Sequence, residues 1–370
     1  MDSIPLVDLA AQHAEIAAEV TVGWQEIVDR TGFVGGPKVA AFESEYADFI
    51  RTAHCVGVGN GTDAIEIALR ALGVGPGDEC IVPVNTFIAT AEAISRAGAV
   101  PVFVDCADDD TYLIDPAAVE AAVTPRTRAI VPVHLYGQAA AVERLVPVAR
   151  RAGAFIVEDA AQSQGARRHG VHAGSLGDAA ATSFYPGKNL GAYGDAGAAL
   201  TDSAEVASRM RMIRDHGSIR KYEHEILGFN SRLDAIQAVV LSAKLRRLDK
   251  WNAERRAAAA RYDDLLAEVP RVTLPRTLPG NEHVWHLYVV KVDDRGRVMK
   301  ELQAAGVGTG IHYPVPVHLT SVYAGLGYAE GAFPVAERAS REVLSLPLFP
   351  GITPDQQQRV ASALRIAAAG

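Results

Sequence analysis

The stretch that decides the fold is residues 54–106, HCVGVGNGTDAIEIALRALGVGPGDECIVPVNTFIATAEAISRAGAVPVFVDC. Short apolar runs, HCVGVGNG, ECIVPVNTF and VPVFVDC, alternate in it with longer amphipathic ones, TDAIEIALRALG and IATAEAISRAG. A short apolar run followed by a helical period reads as a strand feeding a crossover helix. Repeating that unit implies a parallel sheet covered by helices, with ligands bound along the carboxyl ends of the strands. The joints, such as GVGPGD at 73–78, are turns and carry no chemistry of their own.

Outward from this stretch the alternation continues through AIVPVHLYG, AVERLVPVARRAG, AFIVEDAAQSQG and AAATSFYPGKN to the strand AGAALTD near 196–202. The texture then changes. Residues 231–268 carry Leu, Ile and Val at spacings of three and four and predict one long helix joining two units. A Pro-rich break, VPRVTLPRTLPGNEH, precedes the strand HLYVVKV, a helix around VMKELQAAG and a further strand leading into GIHYPVPVH. The expected architecture is α/β: a large unit, 1–246, with a mostly parallel central sheet and an N-terminal arm, and a smaller α+β unit, 247–370.

Composition narrows the function classes. The 370 residues hold 36 Lys+Arg against 44 Asp+Glu, a formal net charge of -8, and are 49% hydrophobic and 22% charged. That excludes a disordered chain and argues against a nucleic-acid surface, which concentrates Lys and Arg. The three cysteines, Cys55, Cys80 and Cys106, sit in apolar contexts, so neither a disulfide framework nor a cysteine metal site is expected, and a reducing cytoplasm fits. The start, MDSIPLVDLAAQHAEI, lacks a basic region followed by an apolar core, and no run reaches the length of a membrane span, so a soluble, unexported protein is expected.

The residues that carry chemistry gather at predicted strand ends. In SFYPGKNLGAYGDAG, 183–197, Pro186 and Gly187 put Lys188 on a loop from which an amine can reach a cleft, although most loop lysines are only solvated. VEDAAQSQG places Asp159 and Gln162 just past the strand AFIV; a carboxylate and an amide there suit the ring nitrogen and phenolic oxygen of pyridoxal phosphate, while a helix cap is the plainer role for the aspartate. GNGTDAIEIALRALG, 59–73, offers the backbone N–H groups of a helix start and the Thr62 hydroxyl to a phosphate, without a Walker lysine or a full GxGxxG; capping by Thr62 or Asp63 is the alternative. Phe87, in NTFIAT, can cover the face of a planar cofactor or simply fill a core. Weak singly, these signals together supply partners for the phosphate, ring face, ring nitrogen and aldehyde of one ligand.

The same motifs, with PVHLYGQ, GFNSRLDAIQAVVL, HVWHLYVV and GIHYPVPVH following in order, resemble the DegT/DnrJ-type nucleotide-sugar aminotransferases, a branch of the aspartate aminotransferase superfamily of fold type I. The resemblance covers essentially the whole chain. It implies that Lys188 bonds the aldehyde of pyridoxal phosphate and then moves the proton of the transfer, and that Asp159 holds the ring nitrogen, Gln162 the ring oxygen and Phe87 the ring face. It implies that Gly61, Thr62, Asp63 and Ser183 bind the phosphate, with Asn230 reaching the cofactor of a neighbouring subunit, and hence a homodimer with shared sites and no metal.

The segment Tyr185–Asn189 has no histidine of the kind that C4-aminating members often carry around the lysine. It resembles the subgroup that aminates dTDP-linked 3-keto-6-deoxyhexoses with an amino acid such as L-glutamate as donor. Tyr185, Arg220, Lys221, Tyr222, His312 and Tyr313 are candidate substrate contacts, and His134 and Tyr136 candidate cleft residues; solvated-loop or structural roles stand beside these. Amination at C4 or of a keto-inositol is the alternative chemistry, and a non-catalytic regulatory protein that binds the cofactor is the alternative class.

Overall fold

A computed structural model describes residues 3–370. Met1 and Asp2, the first residues of the expected large unit, lie outside them. Seven strands form the central sheet: β1 (His54–Val58), β2 (Glu79–Pro83), β3 (Val100–Val104), β4 (Thr127–Ile130), β5 (Phe155–Asp159), β6 (Ala179–Ser183) and β7 (Gly197–Thr201), in the order β1-β7-β6-β5-β4-β2-β3. From β3 to β6 every pairing is parallel, and β7 runs antiparallel between β6 and β1. The strands are almost wholly buried, as a sheet covered on both faces requires, with α4 (Ile88–Arg96), α5 (Pro116–Ala122), α6 (Val142–Ala152) and α7 (Ala204–Arg214) among the covering helices.

The crossover after β1 assembles the site. Helix α3 (Gly61–Ala71) leaves the edge strand β1 and crosses the sheet over β7, β6 and β5 before the chain enters β2. It is buried nearly all round, including Asp63 and Glu66, whose carboxylates pair with Arg96 and, for Glu66, also with Arg70. Its first residue therefore lies over the carboxyl end of β6. A Cβ built on Gly61 would stand 2.6 Å from the Ser183 Cβ, and only glycine tolerates that approach.

Residues 3–50 hold two helices, α1 (Leu9–Arg30) and α2 (Pro37–Ile50), where an arm was expected. Asp8 caps α1 by accepting from the Ala10 and Ala11 N–H groups, and Ile16, Val20 and Ile27 are buried along it. Residues 231–268 are also not one helix. Helix α8 (Ala235–Leu245) ends and α9 (Leu248–Leu266) starts on a new course. Nothing in the sequence there breaks a helix; the break is tertiary, because the Arg247 guanidinium donates to the Ala243 carbonyl at the end of α8 and both Arg246 and Arg247 pair with Glu19 of α1.

A second core lies under a small antiparallel sheet, β8 (Val272–Thr273), β9 (Tyr288–Val292) and β10 (Val343–Leu346), with α9, α10 (Arg295–Ala304) and a helix over Pro354–Ala369 around it. Ile4 is buried in the same cluster, its segment bonded to Gly306 and Gly308. The strand expected before GIHYPVPVH is absent from the described residues: Gly310 forms only an isolated bridge with Ser345, and Pro314 and Pro316 beyond it have no N–H to extend a ladder.

Candidate active site

Beyond β6, Tyr185, Pro186, Gly187 and Lys188 make a tight turn closed by the Lys188 N–H donating to the Tyr185 carbonyl at 2.8 Å. Proline in the second place presets the turn, and the lysine leaves it facing the sheet's carboxyl edge. The buried Asn189 then ties the loop to α9 and to the segment before β9, donating to Asn252 Oδ1 and to the Val284 carbonyl, each at 2.9 Å. Burial lowers the Lys188 amine from the usual lysine range to about 8, against the opposing pull of the Asp159 carboxylate. A substantial neutral fraction near pH 7–8 makes this amine a nucleophile where an ordinary lysine would be charged.

Asp159 is the last residue of β5, next to β6 in the sheet, and is buried. Its Oδ2 accepts from the Thr90 hydroxyl at 2.7 Å and its Oδ1 from the Ala161 N–H at 3.1 Å. Thr90 is in turn 2.8 Å from the Thr86 hydroxyl. These bonds aim the carboxylate into the cleft. The Gln162 Oε1 accepts from the Tyr136 N–H at 2.7 Å, and its Nε2 donates to the Tyr313 hydroxyl at 3.0 Å. Tyr136 holds a left-handed backbone, φ 59°, and its hydroxyl donates to the His312 carbonyl. The structure thus brings Lys188, Asp159, Gln162, His312 and Tyr313 into one cleft, and burial and the Asp159 charge push the Tyr313 phenol up.

Phe87 caps the start of α4 (Ile88–Arg96) past the end of β2. Its ring is 53% exposed at the cleft, 5.4 Å from the Tyr313 ring. At the other end of the cleft, the Asn60 side chain accepts from the Asp63 N–H at 2.8 Å. The donors left free in the first turn of α3 are therefore the N–H groups of Gly61 and Thr62, beside Ser183, whose Oγ accepts from the Tyr185 N–H at 3.2 Å. The Asp63 carboxylate serves the frame, accepting from the Ser231 hydroxyl and pairing with Arg96.

Other candidates lie elsewhere. The hairpin of Ser218–Arg220 and Glu223–His224 holds Arg220 in an ion pair with Glu223 and Lys221 over the Tyr222 ring; Tyr222 is 83% exposed. Asn230 is exposed and bridges Asp215. Within one chain none of these four side chains has a recorded bond to Lys188, Asp159 or Gln162. The Tyr185 side chain is exposed. His134 is not a cleft residue: fully buried, its Nδ1 accepts from the Ala140 N–H, so its Nε2 donates to Glu158 at 2.7 Å. His312 bonds Ser345 Oγ through Nδ1, and burial together with the Lys188 charge lowers it to about 4.

Sequence reading passed over Thr90, Asn189 and His286. Thr90 and His286 stand inside the motifs NTFIAT and HVWHLYVV, and Asn189 directly follows the lysine, but their partners come from distant segments. His286 Nδ1 lies 3.2 Å from Asn189 Oδ1.

The residues present fit pyridoxal phosphate. A lysine amine of lowered basicity stands against a fixed carboxylate, an exposed aromatic ring lies beside Tyr313, the partner of Gln162, and free helix-start N–H groups meet a serine where glycine alone fits. On this sheet, such a set defines a pyridoxal-phosphate-dependent aminotransferase. The chain belongs to the DegT/DnrJ/EryC1/StrS aminotransferase family, whose model matches residues 14–365.

Among its relatives, the dTDP-3-amino-3,4,6-trideoxy-alpha-D-glucose transaminase of Streptomyces venezuelae is 48% identical over 362 residues, 98% of this chain and 95% of that one. The erythromycin biosynthesis sensory transduction protein EryC1 of Saccharopolyspora erythraea is 48% identical over 365 residues, 99% of this chain and 100% of that one. The crystal structure of S. venezuelae DesV in complex with a ketimine intermediate superposes with a TM-score of 0.97 at 47% identity, covering 100% of both chains. No helix among the described residues is long and apolar enough to cross a membrane.

Proposed function

We propose that this protein transfers an amino group from an amino acid, L-glutamate, to C3 of a dTDP-linked 3-keto-6-deoxyhexose in deoxyaminosugar biosynthesis. The observation that carries the reading is the Lys188 amine set against the Asp159 carboxylate at the ends of neighbouring strands. Likeness to a transaminase named for a dTDP-3-amino sugar supports the sugar and the carbon.

Pyridoxal phosphate, when bound, supplies an electron sink for the charge left as a proton is removed beside nitrogen. The chain's residues do the rest. Lys188 would hold the cofactor through its neutral amine and, when free, would take a proton from one carbon and return it to the other. Asp159, held by Thr90 and Ala161, keeps a negative charge at the ring nitrogen. Gln162 orients the ring oxygen, and Phe87 covers the ring face. The N–H groups of Gly61 and Thr62, with the Ser183 hydroxyl, hold the phosphate; Asp63 contributes by fixing the helix start.

Tyr185, His312 and Tyr313 line the sugar side. Arg220, Lys221, Tyr222 and Asn230 are assigned to the site of a second copy, which makes the working unit a cytoplasmic homodimer. The unit 1–246 then binds the cofactor, and 247–370 covers the substrate.

The regulatory reading is favoured by the sensory-transduction name of one relative. A panel experiment separates the readings: the protein with pyridoxal phosphate and glutamate is offered 3-keto and 4-keto hexoses linked to dTDP and UDP, and aminated products are weighed by mass spectrometry. Amination of the dTDP-linked 3-keto sugar is expected. Amination of the 4-keto sugars alone would move the reaction to C4, and cofactor binding without any amination would favour regulation.

A further inference from the structure

The residue after Lys188 fixes the protonation pattern of a histidine beside it. Asn189 Nδ2 stands 2.9 Å from the Val284 carbonyl and 2.9 Å from Asn252 Oδ1, and Asn252 Nδ2 stands 2.9 Å from the Gln164 carbonyl. Peptide oxygens only accept, so both amides are oriented by the main chain and Asn189 Oδ1 is left as an acceptor. That oxygen faces His286 Nδ1 at 3.2 Å, so Nδ1 carries the ring proton. A neutral imidazole has one N–H, which leaves Nε2 with a bare lone pair.

No hydrogen-bond partner of Nε2 is recorded among the described residues. The charged and titratable groups that face the ring are Lys188 first, then Arg255, His312 and His283, with no carboxylate among them. Burial acts most strongly, and with the Lys188 and Arg255 charges it holds the imidazole neutral, well below the usual histidine range. Arg255 is locked in place by the carbonyls of Trp285 and Leu348, at 3.2 and 3.0 Å. The ring is thus a fixed, uncharged acceptor beside the Lys188 and Arg255 cations, and Lys188 is the one of the two that the proposed chemistry sets free.

We propose that His286 is a positioning residue for Lys188: Asn189 holds its imidazole in the Nδ1–H form, and the Nε2 lone pair accepts a hydrogen from the Lys188 ammonium whenever that side chain is not bonded to the cofactor. This rests on the role given to Lys188 above. The acceptor steadies a flexible four-carbon chain between its two tasks. It also favours the charged amine, offsetting part of what burial takes away.

The test uses the full-length protein with Lys188 free, either converted by glutamate to the amine form of the cofactor or taken without cofactor. Nitrogen NMR of labelled histidine should show His286 as the neutral Nδ1–H form from mildly acidic to mildly basic pH. The pH midpoint for acylation of Lys188, read by mass spectrometry, should fall by about one unit, roughly tenfold in the protonation constant, in His286→Asn. That variant keeps a donor for Asn189 and loses the Nε2 acceptor. His286→Gln, whose amide reaches the Nε2 position, should restore part of the shift.

A dominant Nε2–H form in the wild-type protein overturns the proposal whether or not any variant folds, and so do equal Lys188 midpoints in wild type and His286→Asn. Failure of the wild-type protein to take up pyridoxal phosphate would instead strike the proposed function and leave these two readings interpretable.

Discussion

At the residue scale, two contacts decide how well the cofactor is held. Thr90 gives Asp159 its hydroxyl bond inside a buried network, and Thr90→Val leaves the carboxylate one donor short. A lost hydrogen bond to a charged group costs about 1.5–3 kcal/mol, and here part of that cost falls on the orientation of Asp159 toward the ring nitrogen. Absorbance titration should show weaker binding of pyridoxal phosphate with the fold intact. Gly61→Ala places a methyl against Ser183 and pushes the start of α3 away from the end of β6. We expect at least about a tenfold loss of cofactor affinity, about 1.4 kcal/mol. Unchanged affinity in this variant would separate the phosphate site from the Gly61–Ser183 contact.

At the element scale, buried charges set the tolerances of the frame. Glu158 on β5 accepts from the N–H groups of Gly174, Leu176 and Gly177 and from His134, fixing the return loop into β6. Glu158→Gln turns an amide NH2 toward at least one of these donors. Urea unfolding should show a loss of about 2–4 kcal/mol.

Lys244 on α8 is buried, its amine over the Tyr193 ring, and burial lowers it to about 8. Its folded pKa lies below the unfolded one, so the unfolded chain binds the extra proton between pH of about 8 and 10.5 and stability rises across that window. Lys244→Met should therefore stabilise at neutral pH by about 1–3 kcal/mol, with the gain shrinking as pH climbs through the window. A gain independent of pH would mean that packing, not charge, is what changed.

The same scale shows what was legible in the sequence. Strand and crossover periods of 54–106 were readable because each element's apolar pattern is local. So was the placement of Lys188, Asp159 and Gln162, whose motifs sit at strand ends. The break between α8 and α9 was not, because the Arg246 and Arg247 side chains there pair with Glu19 of α1, far away in the chain. The contacts of Thr90 and His286 were hidden for the same reason: their partners lie 69 and 97 residues away.

Over the whole molecule, one chain leaves Ile219, Tyr222 and Leu227 of the hairpin region, Val22 and Val28 of α1, and Phe33 and Val34 of the loop between α1 and α2 exposed. The proposed dimer gives these side chains a partner and brings the hairpin to the second copy's cleft. Sedimentation should give twice the chain mass of 39.2 kDa. A Lys188→Ala subunit mixed with a Lys221→Ala, Tyr222→Asp subunit should recover activity that neither has alone, because one of the two sites in the mixed dimer joins an intact hairpin to an intact lysine.

The measurement that tests the central claim most directly is the visible spectrum of the purified protein with pyridoxal phosphate, before and after glutamate, in wild type and in Lys188→Ala. The account predicts a band of lysine-bound cofactor that glutamate bleaches in the wild type, and neither the band nor the response in the variant. The same band, bleached by glutamate, in Lys188→Ala would contradict it.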